Sequence, residues 1–456
     1  MSLTRSKHLP RLTDDDRSML RLAVPAFAAL VSEPLFLLAD TAVVGFLGTD
    51  PLAALSVGAT VLQTVVGLCV FLAYATTATV ARRVGAGDLR GALTDGVSGL
   101  WLALGLGVLL AAVLAAAATP VVDAFGVSQT VTGQGADYLR VSAVGVPAML
   151  LVLAATGVLR GLQDTRTPLV VIVVANLANI VLDVVLVYGF DLGLVGSALG
   201  TVIAQGGAAV ALTAVVLRGA RRHQAGWRPD PRKVLAAASS GTPLFVRTAN
   251  LRLVLVLATV VAASLPAASL AAQQIAVTVV AVLAYGLDAV AIAAQAIIGR
   301  HLGAGEVATA RRSTWRMVGW GVLGGSFACV GLLAMAPWLP ALFTADADVR
   351  AAAVTALVVV ALVQPVSGVV FVLDGVLIGA GDGRYLAVAG VLTTVAYVPA
   401  ALLVWSTGGG IGWLWVAYGV WILARAVTLV HRAHGSTWLR TGAVVTKSSE
   451  APATSG

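Results

Sequence analysis

The sequence predicts an all-α polytopic membrane protein of 12 transmembrane helices, arranged as two six-helix lobes related by a parallel pseudo-two-fold repeat. Of the 456 residues, 59% are hydrophobic and 11% are charged, whereas soluble domains carry about 25% charged residues. Apolar runs of about 20 residues recur along nearly the whole chain, and each can cross a bilayer as a helix. A third observation is that the two halves of the chain repeat each other. A soluble protein with an oversized core is the alternative, and the number of long apolar runs argues against it.

The 12 spans follow from the positions of the apolar runs between short polar connections. They cover residues 20–47, 52–81, 93–118, 138–159, 168–190, 193–217, 243–264, 269–298, 314–338, 351–378, 385–406 and 411–430.

Lys and Arg gather in alternate connections. The connection "LRGARRHQAGWRPDPRK" is strongly basic, whereas "GTDP", "YGFDLG" and "TGGG" on the other side carry no Lys or Arg. Because basic loops stay in the cytoplasm, we expect both termini to be cytoplasmic in a multi-pass inner-membrane protein. The net charge of +8 is thereby explained by topology, and no nucleic acid partner is expected. Cys69 and Cys329 lie in apolar runs, so neither a disulfide nor a zinc site is indicated.

An internal repeat divides the chain. "RRVGAGD" at residues 82–88 matches "RHLGAGE" at residues 300–306, an offset of 218, and Pro147 meets Pro365 at the same offset. The predicted organisation is a tail at 1–19, a first lobe at 20–217, a linker at 218–242, a second lobe at 243–432 and a disordered tail at 433–456. Six spans per half give both halves the same orientation, so the pseudo-two-fold axis should run along the membrane normal.

Four polar residues of the first half share one depth in the membrane. Counted from the ends of their spans, Asp40, Asp183 and Thr201 lie roughly 10–12 Å below the outer surface, and Asn179 lies about one turn deeper. An ionised carboxylate in a span needs a partner, a water-filled cavity or a proton. Two such groups at one depth also resist joint ionisation. The sequence therefore predicts a coupling site for H⁺ or Na⁺ on these four residues, with no other cofactor or metal.

Further polar residues are candidates for a substrate cleft or a gate. Glu33, in "EPLFLLADTAVVGFLG", lies near mid-membrane and seven residues before Asp40, so that a regular helix puts both on one face. Asn176 shares a stripe with Asn179 in the fifth span, and Gln205 follows Thr201 by one turn in the sixth.

The second half has four charges inside its spans. Arg252 and Asp288 lie at nearly equal depths, and Arg247 and Asp374 share a shallower level. Equal depth and opposite sign predict two ion pairs, Arg252 with Asp288 and Arg247 with Asp374. Static structural pairs and a state-dependent gate are both consistent with this pattern.

Several stretches together resemble the multidrug and toxic compound extrusion (MATE) family, and within it the branch of the DNA-damage-inducible protein F. They are "EPLFLLADTAVVGFLG", "VARRVGAGD", "GVLRGLQDTRTPL", "NLANIVLD", "DLGLVGSALGTVIAQ", "RTANLRL", "AYGLDAVAIAAQ" and "FVLDGVLIGAGD". They follow one another in order over almost the whole chain. The resemblance implies a V-shaped pair of lobes and cation-coupled efflux of amphipathic, often cationic compounds.

The resemblance also bears on single residues. It implies a cation site on Asp40, Asn179, Asp183 and Thr201, which are the residues that the depth comparison selects. Thr156 stands at a fourth-span position that is often Asn in the family, and this departure affects the coordination of the site. Tyr138 matches a tyrosine that the family places beside the central cleft.

The sequence thus predicts a secondary antiporter that exports small organic compounds in exchange for H⁺ or Na⁺. We expect it to work as a monomer among membrane lipids. A flippase for lipids or lipid-linked precursors is the first alternative, and it should line its cleft with several Arg or Lys. A membrane enzyme is the second alternative, but no phosphate loop, HExxH motif or nucleophile elbow is present in the sequence.

Overall fold

The computed structural model describes residues 14–443, and within this range the chain forms helices and no strand. The outer parts of the two predicted tails, residues 1–13 and 444–456, lie outside the described residues. The helices are α1 (Asp14–Gly45), α2 (Thr49–Leu68), α3 (Phe71–Gly85), α4 (Leu89–Asp123), α5 (Gln129–Ala143), α6 (Val146–Gly161), α7 (Arg166–Val184), α8 (Gly193–Arg222), α9 (Pro231–Ala263), α10 (Ala267–Gly303), α11 (Val307–Met335), α12 (Ala347–Gly379), α13 (Gly383–Thr407) and α14 (Ile411–His434).

These helices give the predicted number of spans. Eleven segments are long and apolar enough to cross a membrane, and the pair α5–α6, bent by 47°, supplies a twelfth. The second span also consists of two helices, because α2 ends at Leu68 and α3 begins at Phe71. The prediction of 12 spans in an all-α membrane fold is confirmed, with two of the spans broken.

The structure sets the limits of the connection between the halves differently from the sequence. Helix α8 continues to Arg222 and α9 begins at Pro231, so the non-helical connection is residues 223–230 rather than 218–242. Asp230 caps α9 by accepting a hydrogen bond of 3.0 Å from the backbone N–H of Arg232. Hydropathy misses these helical turns because they are polar and extend beyond the apolar part of the spans.

The described part of the C-terminal segment is ordered, in contrast to the predicted disordered tail from residue 433. Helix α14 extends to His434. Beyond it, Trp438 is 1% exposed and donates a hydrogen bond of 3.1 Å to the carbonyl oxygen of Ala433. An indole that folds back onto its own helix is not visible in a hydropathy profile.

The repeat is visible in the packing of each half. A Cβ on Gly157 would lie 2.5 Å from the carbonyl oxygen of Ala73, and one on Gly375 would lie 2.2 Å from that of Ala291. Both residues of the second contact are 218 positions after those of the first. The same close helix contact, possible only without a side chain, therefore forms in both halves.

The two halves meet around a pseudo-two-fold axis. A Cβ on Gly85 would lie 1.9 Å from the carbonyl oxygen of Arg300, and one on Gly303 would lie 2.0 Å from that of Arg82. Gly303 is 218 positions after Gly85, and Arg300 is 218 positions after Arg82. Each contact is therefore the other one with the two lobes exchanged. The axis therefore runs between the ends of α3 and α10, as the parallel repeat requires.

The lobes are joined on one side of the membrane domain. We define the basic face as the end that carries the connections 85–89, 161–166, 222–231, 303–307, 379–383 and 434–443. Arg300 donates a hydrogen bond of 2.6 Å to Gln163 there, and the side chain of Gln295 donates one of 2.5 Å to the carbonyl oxygen of Tyr74. In the described part of the chain, no hydrogen bond or ion pair joins the lobes in the half away from this face.

Candidate functional site

Asp40 lies on α1, in the half of the first lobe away from the basic face. Its side chain is 4% exposed, and its Oδ1 accepts a hydrogen bond of 2.6 Å from the hydroxyl of Ser197. Ser197 is buried near the start of α8, so this bond ties the first span to the sixth. Pro34, one and a half turns earlier in α1, cannot donate a backbone hydrogen bond and so weakens the helix there.

Asp183 lies near the end of α7 and is fully buried. Neither of its carboxylate oxygens has a hydrogen-bond donor among the described residues. A Cβ on Gly200 of α8 would lie 2.2 Å from Oδ1 of Asp183, so that only glycine leaves room for this carboxylate. A π-helical turn, Val185–Gly189, follows directly, and such turns occur often at functional sites.

Neutral oxygens accompany the two carboxylates. The side-chain amide of Asn179 donates a hydrogen bond of 3.4 Å to the hydroxyl of Thr201, and both residues are buried. The amide oxygen of Asn179 has no donor among the described residues. We refer to Asp40, Asn179, Asp183 and Thr201 as the acidic site.

The acidic site has more acceptors than donors. Asp40 and Asp183 lie within electrostatic range of each other, and Ser197 supplies one donor to the pair. Buried acceptors without donors are unfavourable, and two buried negative charges in proximity are more so. A proton or a cation such as Na⁺, which prefers oxygen ligands, would relieve both problems. The residues present therefore fit an ion site.

Tyr138 and Thr156 come from the two helices of the bent fourth span. Tyr138 is 3% exposed and packs against Gly58, where a Cβ would lie 2.5 Å from its ring. It lies within electrostatic range of Asp40 and Asp183, so it belongs to the wall of the acidic site. Thr156 is buried, and its hydroxyl has no partner among the described residues.

The remaining candidates of the first half have different surroundings. The side-chain amide of Asn176 donates a hydrogen bond of 3.2 Å to Ser32 and thus joins α7 to α1. Gln205 is half-buried on α8. Glu33 is exposed, unlike the buried Asp40, and lies within electrostatic range of Tyr285 on α10 of the other lobe. The structure therefore puts Glu33 between the lobes and Asp40 inside the first lobe.

One of the two predicted ion pairs is present. Arg247 donates a hydrogen bond of 2.8 Å to Oδ2 of Asp374. Arg425 of α14 donates to the same oxygen, so that one buried carboxylate holds two guanidinium groups. The sequence did not identify Arg425, because a basic residue near the end of the last span looks like a topological charge.

The other predicted pair, Arg252 with Asp288, is wrong. Arg252 is exposed and has no ion pair in the described part of the chain. Its guanidinium lies against Gly67, where a Cβ would be 3.0 Å from Nη2. This is the C-terminal end of α2, where unpaired carbonyls favour a cation.

Asp288 instead interacts with the first lobe. It lies within electrostatic range of Tyr74 of α3 and of Arg160 at the end of α6. Equal depth did not identify this arrangement, because depth gives no information on the direction of a side chain around the helix axis. In the sequence, Arg160 begins the basic stretch "RGLQDTR" and therefore looks like a loop residue.

The fold and the acidic site define a class of protein. Two six-helix lobes, related by an axis along the membrane normal and holding buried carboxylates inside the spans, are the architecture of a secondary transporter.

The comparisons with known proteins name the family. Residues 25–185 and 243–403, one segment in each lobe, match the MatE family model. The chain belongs to this family of membrane transporters.

Curated relatives are similar in sequence, and a solved structure shares the fold. The chain is 30% identical to the Protein DETOXIFICATION 44, chloroplastic, of Arabidopsis thaliana over 434 residues, which cover 90% of this chain and 80% of that protein. It is 37% identical to the DNA damage-inducible protein F of Escherichia coli over 199 residues, 42% of each protein. The structure superposes with a TM-score of 0.84 on the outward-facing conformation of a multidrug resistance MATE family transporter, at 21% identity, over 93% of this chain and 96% of that one.

Proposed function

We propose that the protein is a secondary antiporter that exports organic compounds in exchange for H⁺ or Na⁺. The observation that carries the proposal is the buried carboxylate of Asp183, which has no hydrogen-bond donor among the described residues and lies within electrostatic range of Asp40. The proposed coupling ion binds at the acidic site, to the carboxylates of Asp40 and Asp183 and the neutral oxygens of Asn179 and Thr201.

In the proposed mechanism, the protein binds the coupling ion and the substrate alternately. If the basic face is cytoplasmic, the lobes are closed toward the cytoplasm and the cleft opens outward. A proton or Na⁺ that arrives from outside cancels the repulsion between Asp40 and Asp183. Helices α1, α7 and α8 then move together, because they carry the charged groups that no longer repel. The cleft next to α1 changes shape, and the bound substrate is released to the outside.

The charges in the cleft half of the spans favour organic cations or amphipathic compounds as substrates. This half contains the carboxylates Glu33, Asp40 and Asp183 and the guanidinium of Arg252 within the described spans. The other charges on its helices lie at their outer ends: Asp50, Asp123, Asp137, Arg140, Asp348 and Arg350. A transporter of anionic head groups would need more basic than acidic residues in this half. The lipid flippase therefore remains the less favoured alternative.

The test is transport by the purified protein in proteoliposomes. An outward-directed flux of a lipophilic organic cation is measured with a pH gradient and a Na⁺ gradient imposed separately. The proposal expects one of the gradients to drive efflux well above the rate without any gradient. Efflux at the same rate with and without either gradient would contradict antiport. If the protein also flips a labelled lipid at the same protein content, the result would support the flippase.

A further inference from the structure

A large cavity lies between the lobes at the basic face, away from the acidic site. Its volume is about 1000 Å³, and it is lined by α3 and α4 of the first lobe and by α9 and α13 of the second. We refer to it as the open crevice. Its deepest lining residue on α3 is Phe71, and Arg82 lies 11 residues further toward the basic face, a distance of about 16 Å along a helix.

The pseudo-two-fold axis generates a second crevice, between α1, α10 and α11, which is almost completely filled. Its volume is about 10 Å³, and it is lined by Met19, Arg316, Met317 and Trp320 among others. Arg316 is paired with Asp16, which also accepts a hydrogen bond of 2.9 Å from Trp320. We refer to it as the filled crevice.

The difference between the two crevices lies in the size of equivalent side chains. At the offset of 218, Met19, Arg316, Met317 and Trp320 correspond to Ala237, Ser98, Gly99 and Leu102, all of which line the open crevice. Large side chains close the crevice on one side of the axis, and small ones leave it open on the other. The open space at these four positions therefore follows from the sequence, whereas at the deep end the size order is reversed, since Phe71 and Leu244 correspond to Ala289 and Ala26.

The mouth of the open crevice carries uncompensated positive charge. Lys233, Arg384 and Arg440 are exposed lining residues, and none of them has an ion pair among the described residues. Two further lining arginines, Arg83 and Arg432, are neutralised by carboxylates.

One more guanidinium lies inside the crevice, that of Arg82, which is 2% exposed. Its terminal nitrogens donate to the carbonyl oxygens of Ala380 and Arg440, at 3.1 and 2.7 Å. Its Nε is buried without an acceptor among the described residues. A cation without a carboxylate partner and with an unused donor is suited to an anionic ligand.

The interior of the open crevice is mostly apolar. Its apolar lining includes Phe71, Leu72, Ala75, Leu244 and Val388, and hydroxyl side chains accompany them at Thr76, Thr79, Ser98, Ser239 and Ser240. A site with a cationic mouth and an apolar interior takes an amphipathic anion. The membrane supplies such molecules at high local concentration, and basic pockets between helices at the cytoplasmic side are typical sites of anionic lipids.

We propose that the open crevice binds an anionic phospholipid, with its phosphate at Arg82, Lys233, Arg384 and Arg440 and an acyl chain along the apolar wall. Arg82 belongs to the first lobe and the other three to the second. A lipid bound here connects the lobes at the basic face and stabilises their closed arrangement. This binding does not depend on the transported substrate or on the coupling ion.

The first test measures lipid binding by the full-length, delipidated protein with native mass spectrometry. The probes are phosphatidylglycerol and phosphatidylcholine with identical acyl chains. The triple variant Lys233→Ala/Arg384→Ala/Arg440→Ala is expected to bind phosphatidylglycerol roughly 100-fold more weakly, since each cation near the surface contributes roughly fivefold. The matched control is Arg90→Ala/Arg221→Ala/Arg222→Ala, which removes three exposed cations of the basic face outside the crevice and should bind like the wild type.

The second test fills the cavity without changing its charge. Ala237→Met and Leu102→Trp introduce the side chains that the filled crevice has at the equivalent positions. The proposal expects each variant to remain monodisperse and to lose the tight binding of phosphatidylglycerol. Ala237→Met alone suffices if the tryptophan variant fails to fold.

Three results would overturn the proposal. The first is equal affinity for phosphatidylglycerol and phosphatidylcholine in the wild type. The second is unchanged phosphatidylglycerol binding in the charge variant or in both filled variants. The third is displacement of phosphatidylglycerol by millimolar inorganic phosphate, which would indicate a site for small anions and not for a lipid.

Discussion

Gly299 packs against Ala81, its equivalent in the other lobe, so closely that a Cβ on Gly299 would lie 2.9 Å from the Cβ of Ala81. Two equivalent residues can touch only where the pseudo-two-fold axis passes between them. The axis therefore runs through the closed end of the molecule, and Gly85 and Gly303 beside it let the backbones of α3 and α10 meet. Closure at the basic face depends on the lack of side chains at these positions.

A methyl group at this contact should keep the lobes from closing. In Gly303→Ala the new Cβ would lie 2.0 Å from the carbonyl oxygen of Arg82, and the backbones must separate. We expect a loss of stability of roughly 1–3 kcal/mol, as in other overpacked interiors, measured as a lower melting temperature in detergent. The control is Gly319→Ala, since a Cβ on Gly319 has no neighbour within 4 Å. Equal melting temperatures of the two variants would contradict the close contact.

The orientation predicts opposite labelling of two introduced cysteines. In a Cys69→Ala/Cys329→Ala background, Gln129→Cys should react with an impermeant maleimide from outside intact cells. His223→Cys, on the basic face, should react only after permeabilisation. Both native residues are exposed, so accessibility within the protein does not distinguish them. Labelling of His223→Cys from outside intact cells would show that the protein has the opposite orientation in the membrane.

The carboxylate shared by two arginines should be the most sensitive structural charge of the second lobe. Asp374→Ala leaves the buried Arg425 and the half-buried Arg247 without their shared carboxylate, which should cost roughly 3–5 kcal/mol. The variant Asp374→Ala/Arg247→Ala removes one of the two stranded cations and should recover part of the folded yield. Folded yield and melting temperature are compared in detergent. If the double variant has no higher folded yield or melting temperature than Asp374→Ala, an unpaired Arg247 is not destabilising, and this would contradict its pairing with Asp374.

Glycine at position 200 should be required for coupling. A Cβ there would lie 2.2 Å from Oδ1 of Asp183, whereas a Cβ on Gly207 of the same helix has no neighbour within 4 Å. We expect Gly200→Ala to displace the Asp183 carboxylate and to lower gradient-driven efflux at least tenfold at matched protein content, with Gly207→Ala close to the wild type. Comparable efflux by the two variants would show that the position of Asp183 does not matter.

Hydropathy, charge bias and the repeat predicted the fold, because a bilayer imposes strong constraints on length, polarity and loop charge. Depth also selected residues that the structure brings near one another on α1, α7 and α8, since carboxylates are rare enough in spans to be informative. Depth failed for Arg252 and Asp288, because pairing also depends on the direction of a side chain around its helix and on contacts between the lobes.

Three residues that take part in these contacts are not distinctive in the sequence. Ser197 is a hydroxyl near the start of a span and resembles a capping residue. Arg160 and Arg425 lie near span ends and look like topological charges. Only the packed structure puts Ser197 beside Asp40 and the arginines beside Asp288 and Asp374.

The central claim is that the acidic site couples an ion gradient to export. Asp40→Asn and Asp183→Asn each remove one charge of the pair and retain its size. The control is Asp137→Asn, which removes an exposed carboxylate of the first lobe outside the site.

The most direct measurement is efflux of a lipophilic organic cation from proteoliposomes, driven by the ion gradient that drives the wild type, together with substrate binding without a gradient. The proposal predicts that both site variants still bind the substrate and lose gradient-driven efflux, whereas Asp137→Asn retains it. Gradient-driven efflux at the wild-type rate by both Asp40→Asn and Asp183→Asn would contradict the claim and move the coupling site elsewhere.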